Sequence, residues 1–509
     1  MARTQTIPLS NRSARQTESG LAGSTSGSGT HSTLDDNRGR DGPTLPPISH
    51  KKQAAVLFSA FASLALTIGY NQTFGVFQEY YLSADQDVLT PSPASQASPP
   101  TALLAFVGTL CYGLTWAGGI LVNPVISRIE HGDWASPSPS SSDSHSRRKV
   151  RLRRLLTNRT VTTSGVLMMT AGFTLASFAK SIWHLLLTQG FLVGMGMSLL
   201  YFPLIAPAPE YFTKHRATAM GFILAGGGTG GFAFTPLIRY LLSSVGGRWT
   251  LRIYAGMNLL LGLPVAWAVP RSRFAGVAAT HHDGQDEPER INTHVSRALA
   301  GRATFILSAV AAFLQAAGAQ LPLAFIPSYT VVLGHTAGYG ANLLAASNGV
   351  NAVSRVLTGY AGDRLGRQNT LVLTLLLAAV SVFSFWLTSV FTGGSNPQGG
   401  AATPLWLTFV VLYSFACGGY YALFPAMIAE VFGIRQYSAV NAFILFVRGL
   451  GTMFGSPVGG QLLGSTEDLG TGAYKSVAYW DGALLMGATA CCVGVRWADG
   501  KGKGWRWVA

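Results

Sequence analysis

The chain has 509 residues, of which 48% are hydrophobic and 11% charged, and its formal net charge is +15. Soluble domains carry about a quarter charged residues. The deficit therefore excludes a soluble enzyme or a soluble nucleic-acid-binding domain as the bulk of the molecule. What fills the chain instead is about twelve apolar stretches of roughly 20 residues, the length at which one helix crosses the hydrocarbon core of a bilayer.

Residues 1–50 are rich in Ser, Gly, Thr and Arg and contain no apolar run. They read as a disordered cytosolic tail. The first apolar stretch begins near Ala54 and is long enough to span, so it reads as an uncleaved anchor. Helices are expected near 54–78, 101–125, 161–179, 183–206, 217–240, 250–269, 303–332, 341–361, 369–391, 404–429, 436–461 and 477–496. A Ser/Pro-rich and then basic insertion at 128–160 includes Arg147, Arg148, Lys149, Arg151, Arg153 and Arg154. It reads as a solvated or headgroup-facing cytosolic segment. A polar stretch at about 270–302 divides the helices six and six. The expected organisation is a tail at 1–50, an N-terminal six-helix bundle at 51–270, a central cytosolic loop at 271–302, a C-terminal six-helix bundle at 303–497 and a cytosolic tail at 498–509.

Most of the cations fall on alternate loops, among them Lys51, Lys52, Lys214, Arg216, Arg271, Arg273, Arg364, Arg367, Arg435 and Arg496. Lys180, Arg239, Arg248, Arg252 and Lys475 fall on the other side. Cytosolic loops of membrane proteins carry the excess Lys and Arg, so both termini are expected in the cytosol, with the plasma membrane as the expected location. Cys111, Cys417, Cys491 and Cys492 all lie inside expected helices and read as packing residues, neither disulfides nor metal ligands.

The two halves repeat each other at a spacing of about 220 residues. Tyr201-Phe202-Pro203 matches Leu423-Phe424-Pro425, Glu210 matches Glu430, Gly228-Thr229 matches Gly451-Thr452, and Pro236 matches Pro457. Two similar halves joined by a central loop imply a substrate path between them, with the site near the midplane. The run Gly226-Gly227-Gly228-Thr229-Gly230-Gly231 lacks the Lys-Ser/Thr ending of a phosphate loop and reads as close helix packing. No ATP-binding sequence occurs, and no cofactor is expected.

Only Arg355 and Arg448 fall well inside expected helices. Arg355 precedes Asp363 by eight residues, about 12 Å at 1.5 Å per residue, and Arg448 follows Arg435 by thirteen, about 19 Å. Intramembrane cations mark functional sites by default, and arginine forms a bidentate fork to a carboxylate. A structural cation held by backbone carbonyls remains the other reading of each. Gln315, Gln320, Tyr420 and Tyr421 can add hydrogen bonds and aromatic walls. The acidic residues all fall in the tail, in loops or near helix ends, with Glu79 and Asp481 expected near the outer mouth and Glu430 at the inner one.

The segment Gly359-Tyr360-Ala361-Gly362-Asp363-Arg364-Leu365-Gly366-Arg367 resembles the loop signature between helices 8 and 9 of the major facilitator superfamily. Tyr211 through Gly221, continuing to Ala225-Gly226, resembles the signature leading into helix 5 of its monocarboxylate porter family. Tyr70 through Tyr81 is similar to the end of helix 1 in fungal-type members. The resemblance covers about residues 52–497. It implies an all-α membrane protein of twelve transmembrane helices in two pseudo-symmetric six-helix bundles. It also implies gating at Asp363, Arg364 and Arg367, with Lys214 and Arg216 at the matching mouth. Arg355 matches the family's carboxylate-binding arginine. The acidic residue four positions earlier is Asn351 here, and the helix-1 lysine is Gln72, so the usual proton-carrying pair is missing.

The expected substrate-binding set is Arg355, Arg448, Asn351, Gln72, Gln315 and Tyr421. The expected function is secondary-active transport of a small organic anion or related metabolite by alternating access, with export of a secondary metabolite as one form. Import of a monocarboxylate nutrient and a nutrient sensor on the same scaffold are the alternatives. The expected partners are a small molecule bearing a carboxylate and the lipid bilayer, without nucleic acid or ATP, in a monomeric transport unit.

Overall fold

Backbone in hydrocarbon must satisfy its own hydrogen bonds, which a lone segment does only as a helix. The computed structural model describes residues 49–83, 85–90, 101–130, 157–212, 216–270, 295–395, 400–463 and 470–503, and among them the only regular structure is helical. The expectations for the N-terminal tail, the core of the 128–160 insertion, the central loop before residue 295 and the last residues of the chain lie outside the described residues.

Helices α1 (His50–Leu82), α2 (Ala102–Ile129), α3 (Asn158–Ala176) and α4 (Ile182–Ile205) run in chain order. A 52-residue helical stretch, Arg216–Trp267, follows. It breaks at Gly246, whose φ of 80° suits glycine and few other residues. The break yields two crossings, α5 (216–245) and α6 (247–267). Asp87 from the preceding α1–α2 connection caps the new helix start, because its Oδ1 accepts from the Gly247 N–H at 2.8 Å. The Tyr80 hydroxyl donates to the same carboxylate oxygen at 2.9 Å. A carboxylate at a helix N-terminus meets both free N–H groups and the positive end of the dipole.

The second half comprises α7 (Ala303–Val332), α8 (Ala337–Leu365), α9 (Arg367–Gly393), α10 (Ala402–Phe432), α11 (Ile434–Leu463) and α12 (Lys475–Lys503). Nine stretches among the described residues are long and apolar enough to cross a membrane, one of them holding both α5 and α6. The less apolar α3 and α8 complete the twelve-helix fold. α8 owes its polarity to buried Ser347, Asn348, Asn351, Ser354, Arg355 and Thr358. Most helices extend several residues past their expected ends, because the polar ends stay helical beyond the hydrocarbon.

Large side chains on the outside are apolar, as lipid requires: Leu260 is 74% exposed and Leu187 65%. The packing repeats with a six-helix shift. α1 packs on α5 as α7 packs on α11, and α3 packs on α4 and α6 as α9 packs on α10 and α12. Between the halves, α2 packs on α11 and α5 on α8. The glycine run in α5 makes two of these contacts at once. Gly226 and Gly230 lie against the α1 backbone at Phe61 and Ala65, while Gly228 lies against α8 at Asn348. The close-packing reading of that run holds. The four cysteines are free, three buried and Cys491 partly so.

Candidate functional site

Arg355 on α8 is 1% exposed and Arg448 on α11 is 5% exposed. The Arg355 guanidinium lies 4.6 Å from the ring centre of Tyr421 on α10, and the Arg448 guanidinium lies 4.4 Å from the same ring. Arg448 is also stacked on Tyr420 at 5.1 Å and on Trp116 of α2 at 5.0 Å. Two cations thus share one tyrosine, inside a cage built by both halves.

Arg355 reaches across to the first half. Its Nη1 donates to the Leu224 carbonyl on α5. When the Gln72 amide is turned with its oxygen toward Arg355, that oxygen accepts from Nη2 at 3.2 Å and the amide nitrogen donates to the Gly227 carbonyl at 2.9 Å. This orientation matches donors to acceptors on both sides. The Nε of each arginine has no hydrogen-bond partner among the described residues. Neither guanidinium forms an ion pair among the described residues, where the two ion pairs are Arg239–Glu79 and Arg367–Asp363. A cation–π contact supplies about 2 kcal/mol when desolvated. The transfer of a guanidinium into hydrocarbon costs more than that. The cage therefore holds two positive charges with no carboxylate beside them among the described residues.

Beside the cage lies a cavity of about 350 Å³, counted with its opening, between α1, α2, α7 and α11. Asn71, Gln72, Gln78, Thr109, Tyr112, Gln320 and Ser456 supply its polar lining. Two residues join cavity and cage: Gln72 touches Arg355, and Gln320 Nε2 donates to the Tyr421 hydroxyl at 3.0 Å. The lining therefore offers amides and hydroxyls, with the positive charge behind it.

Not all of the sequence-derived set converges. Arg355, Arg448, Gln72 and Tyr421 come together. Asn351 uses its Nδ2 to donate to the Ser414 carbonyl on α10 at 3.2 Å. Gln315 is fully buried on α7, and neither of its amide atoms has a hydrogen-bond partner among the described residues. Trp116, Tyr112 and Gln78 belong to the site without having been selected. Aromatic residues are common in membrane helices, so nothing marks Trp116 until its distance from Arg448 is known.

At the α8–α9 turn, Arg367 Nη2 pairs with Asp363 Oδ1 at 3.1 Å, and Arg364 stacks on Tyr360 at 4.6 Å. These contacts stay within one half. Next to them Gln368 Nε2 donates to Glu430 Oε1 at 2.8 Å and to Asp499 Oδ2 at 3.0 Å, which ties α9 to the ends of α10 and α12. Lys214 lies outside the described residues, and Arg216 marks the start of α5. Glu79 lies near the end of α1, paired with Arg239 on α5 at 2.8 Å. Asp481 departs from the expectation of a position near the outer mouth: it sits about two turns into α12 and is fully buried.

The profile of the Major Facilitator Superfamily matches residues 152–397, across the junction of the two halves. That match covers just under half of the chain. The chain is 26% identical to the MFS-type transporter pynF of Aspergillus niger over 432 residues, 84% of each chain. It is 26% identical to the aspyridones efflux protein apdF of Emericella nidulans over 463 residues, 89% of this chain and 79% of that one. It is 23% identical to the agnestins efflux protein AgnL12 of Paecilomyces divaricatus over 433 residues, 85% of this chain and 86% of that one. The protein is thus a multi-pass membrane transporter of the major facilitator type, and its relatives are named as transporters. In such a transporter, the cage of Arg355 and Arg448 sits where the halves meet.

Proposed function

We propose that this transporter carries a small organic anion by alternating access and exports it as a secondary metabolite. The observation that carries the reading is the pair of buried guanidinium groups sharing Tyr421 without a carboxylate partner among the described residues. A substrate carboxylate supplies the missing charge. The amides and hydroxyls that line the adjoining cavity suit an oxygen-rich body. Export is favoured by the relatives named for efflux of aspyridones and agnestins.

In this reading the six-helix halves rock about the α2–α11 and α5–α8 contacts. Asp363, Arg364 and Arg367, with Lys214 and Arg216, act at the cytosolic mouth, both termini are cytosolic, the membrane is the plasma membrane, and the transport unit is a monomer. The helix 5 signature supports the monocarboxylate porter branch.

The test is uptake by purified protein in liposomes of radiolabelled benzoate and benzamide, which share a ring and differ in charge. Wild type is expected to prefer the acid. Arg355→Gln should lose roughly ten- to a hundred-fold in affinity for the acid, the equivalent of one charge-assisted hydrogen bond, and little for the amide. Equal uptake of benzoate by wild type and Arg355→Gln would remove the anion site. A strain lacking the protein, compared with its parent for metabolites retained inside the cell, tests the direction.

A further inference from the structure

The Asp481 carboxyl is fully buried in α12, and neither of its oxygens has a hydrogen-bond partner among the described residues. A β-carbon built on Gly318 of α7 would stand 3.1 Å from its Oδ1, so α7 leaves room there for the carboxyl. Its titratable neighbours are few. On α10 they are Tyr413 and Cys417. The described part of α7 before its bend, Ala303–Ala319, carries no ionisable side chain. On α9 the one charged residue is Arg367, at the far end, engaged with Asp363. Arg448 on α11 is stacked in the tyrosine cage. Lys475, at the start of α12, lies over the Phe391 ring at 5.2 Å. Among the described residues, no cation thus faces Asp481.

An ionised carboxylate with neither cation nor donor is the costliest group to bury, and it neutralises by taking a proton. A proton needs one oxygen and no further ligands, whereas a metal cation needs several oxygens around it. Tyr413, Cys417 and Tyr421 follow at i, i+4 and i+8 on one face of α10, and Tyr421 is the ring that both arginines share. The buried carboxyl and the anion cage are therefore two ends of one helix face.

We propose that Asp481 is the proton-binding site of the transport cycle, taking the place of the acid–lysine pair that positions 351 and 72 lack. The carboxyl holds the proton in the conformation seen here. It releases the proton, leaving a carboxylate, when rocking of the halves lets water reach α12. No electrons move. The coupling role rests on the transporter reading above, but the protonation does not, so the two are tested separately.

The deciding measurement is infrared spectroscopy of the full-length protein in lipid, without substrate, titrated over about pH 4 to 10. Wild type should show a protonated-carboxyl C=O band that disappears reversibly as pH rises. Asp481→Asn should lack that band, and Asp481→Glu should restore it at a shifted frequency. A band that Asp481→Asn leaves intact, or one that never responds to pH, overturns the proposal and makes Asp481 a structural carboxyl. A band removed by sodium chloride at constant pH overturns it in favour of a metal cation. In liposomes, Asp481→Asn should lose about tenfold or more of benzoate uptake driven by a pH gradient while keeping benzoate–benzoate exchange. Gradient-driven uptake equal to wild type refutes coupling. Absence of benzoate transport in wild type refutes the anion reading and leaves the infrared result standing.

Discussion

A single ring, Tyr421, meets both buried arginines, and its hydroxyl and its face do different work. The hydroxyl accepts from Gln320, and the face meets both guanidinium groups. Tyr421→Phe keeps the face and should change affinity for an organic anion by only about threefold, the weight of one neutral hydrogen bond. Tyr421→Ala removes the face from two cations at once. It should cost about 2–4 kcal/mol in stability, read as a lower melting temperature in detergent, because each desolvated cation–π contact is worth up to about 2 kcal/mol. Similar melting temperatures for the two variants would show that the ring compensates no charge. The arginines themselves were legible in the sequence, since counting residues from Asp363 and Arg435 gave their depth. Their surroundings were not. Trp116 and Arg448 are far apart in the chain, and a depth count says nothing about which face of a helix a side chain takes. Asp481 shows the same limit from the other side. Its place near a helix start suggested the mouth, but burial depends on what α7 and α10 lay over it.

Among the elements, the α5–α6 corner depends on one glycine and one carboxylate. Gly246 holds φ at 80°, and Asp87 accepts from Gly247 while the Arg248 Nε donates to the Asp87 carbonyl at 3.0 Å. Asp87→Ala removes the cap and should cost about 1–2 kcal/mol of stability. Gly246→Ala adds a β-carbon that would stand 2.9 Å from Asp87 Oδ2 and forces a left-handed conformation, which alone costs about 1–2 kcal/mol. Because both act at one corner, the double variant should lose less than the sum of the single ones, measured by unfolding in the same detergent. Additive losses would mean that the cap and the turn are independent. The sequence showed two helices here from the polar run between them. It did not show how they are joined, because the cap comes from the α1–α2 connection. At the other end of the molecule, Asp363 and Arg367 form an exposed pair within one half. Exposed pairs at this spacing are worth only about 0.3–0.5 kcal/mol. Asp363→Asn should therefore leave folding unchanged. If the residue acts as a gate, transport turnover falls at constant surface expression; unchanged turnover limits it to the turn.

For the whole molecule, the packing fixes which helix ends lie together, and the charges then decide which way the bundle sits. The ends of α1 and α3 meet the α5–α6 corner: the Arg248 Nε donates to the Asp87 carbonyl, the Thr90 N–H donates to the Lys180 carbonyl at 3.0 Å, and the Arg252 Nε donates to Ser177 Oγ at 3.2 Å. The start of α9 and the ends of α10 and α12 meet through Gln368, Glu430 and Asp499. This alternation is what a chain that crosses at every helix must show, and the six-helix repeat was legible for the same reason: it is written in local motifs such as Phe202-Pro203 and Phe424-Pro425. Both ends carry cations stacked on aromatic rings, Arg252 on Trp249 at 4.8 Å and Lys501 on Trp497 at 5.4 Å, so an aromatic belt alone does not orient the protein. The excess of positive charge does. The connections on the α9-start side include the Arg147–Arg154 run and Arg271 and Arg273, whereas the opposite side has Lys180, Arg239, Arg248, Arg252 and Lys475. Cytosolic loops retain Lys and Arg, so the first set and the 271–302 loop are expected inside. The native cysteines are buried or half-buried within helices, which leaves a clean background for labelling. Gln285→Cys, in that loop, should stay unlabelled by a membrane-impermeant maleimide in intact cells and react once the membrane is permeabilised. A cysteine replacing Ser181, between α3 and α4, should react in intact cells. Labelling of residue 285 from outside, with residue 181 protected, would invert the molecule in its membrane and turn the proposed exporter's cytosolic mouth outward.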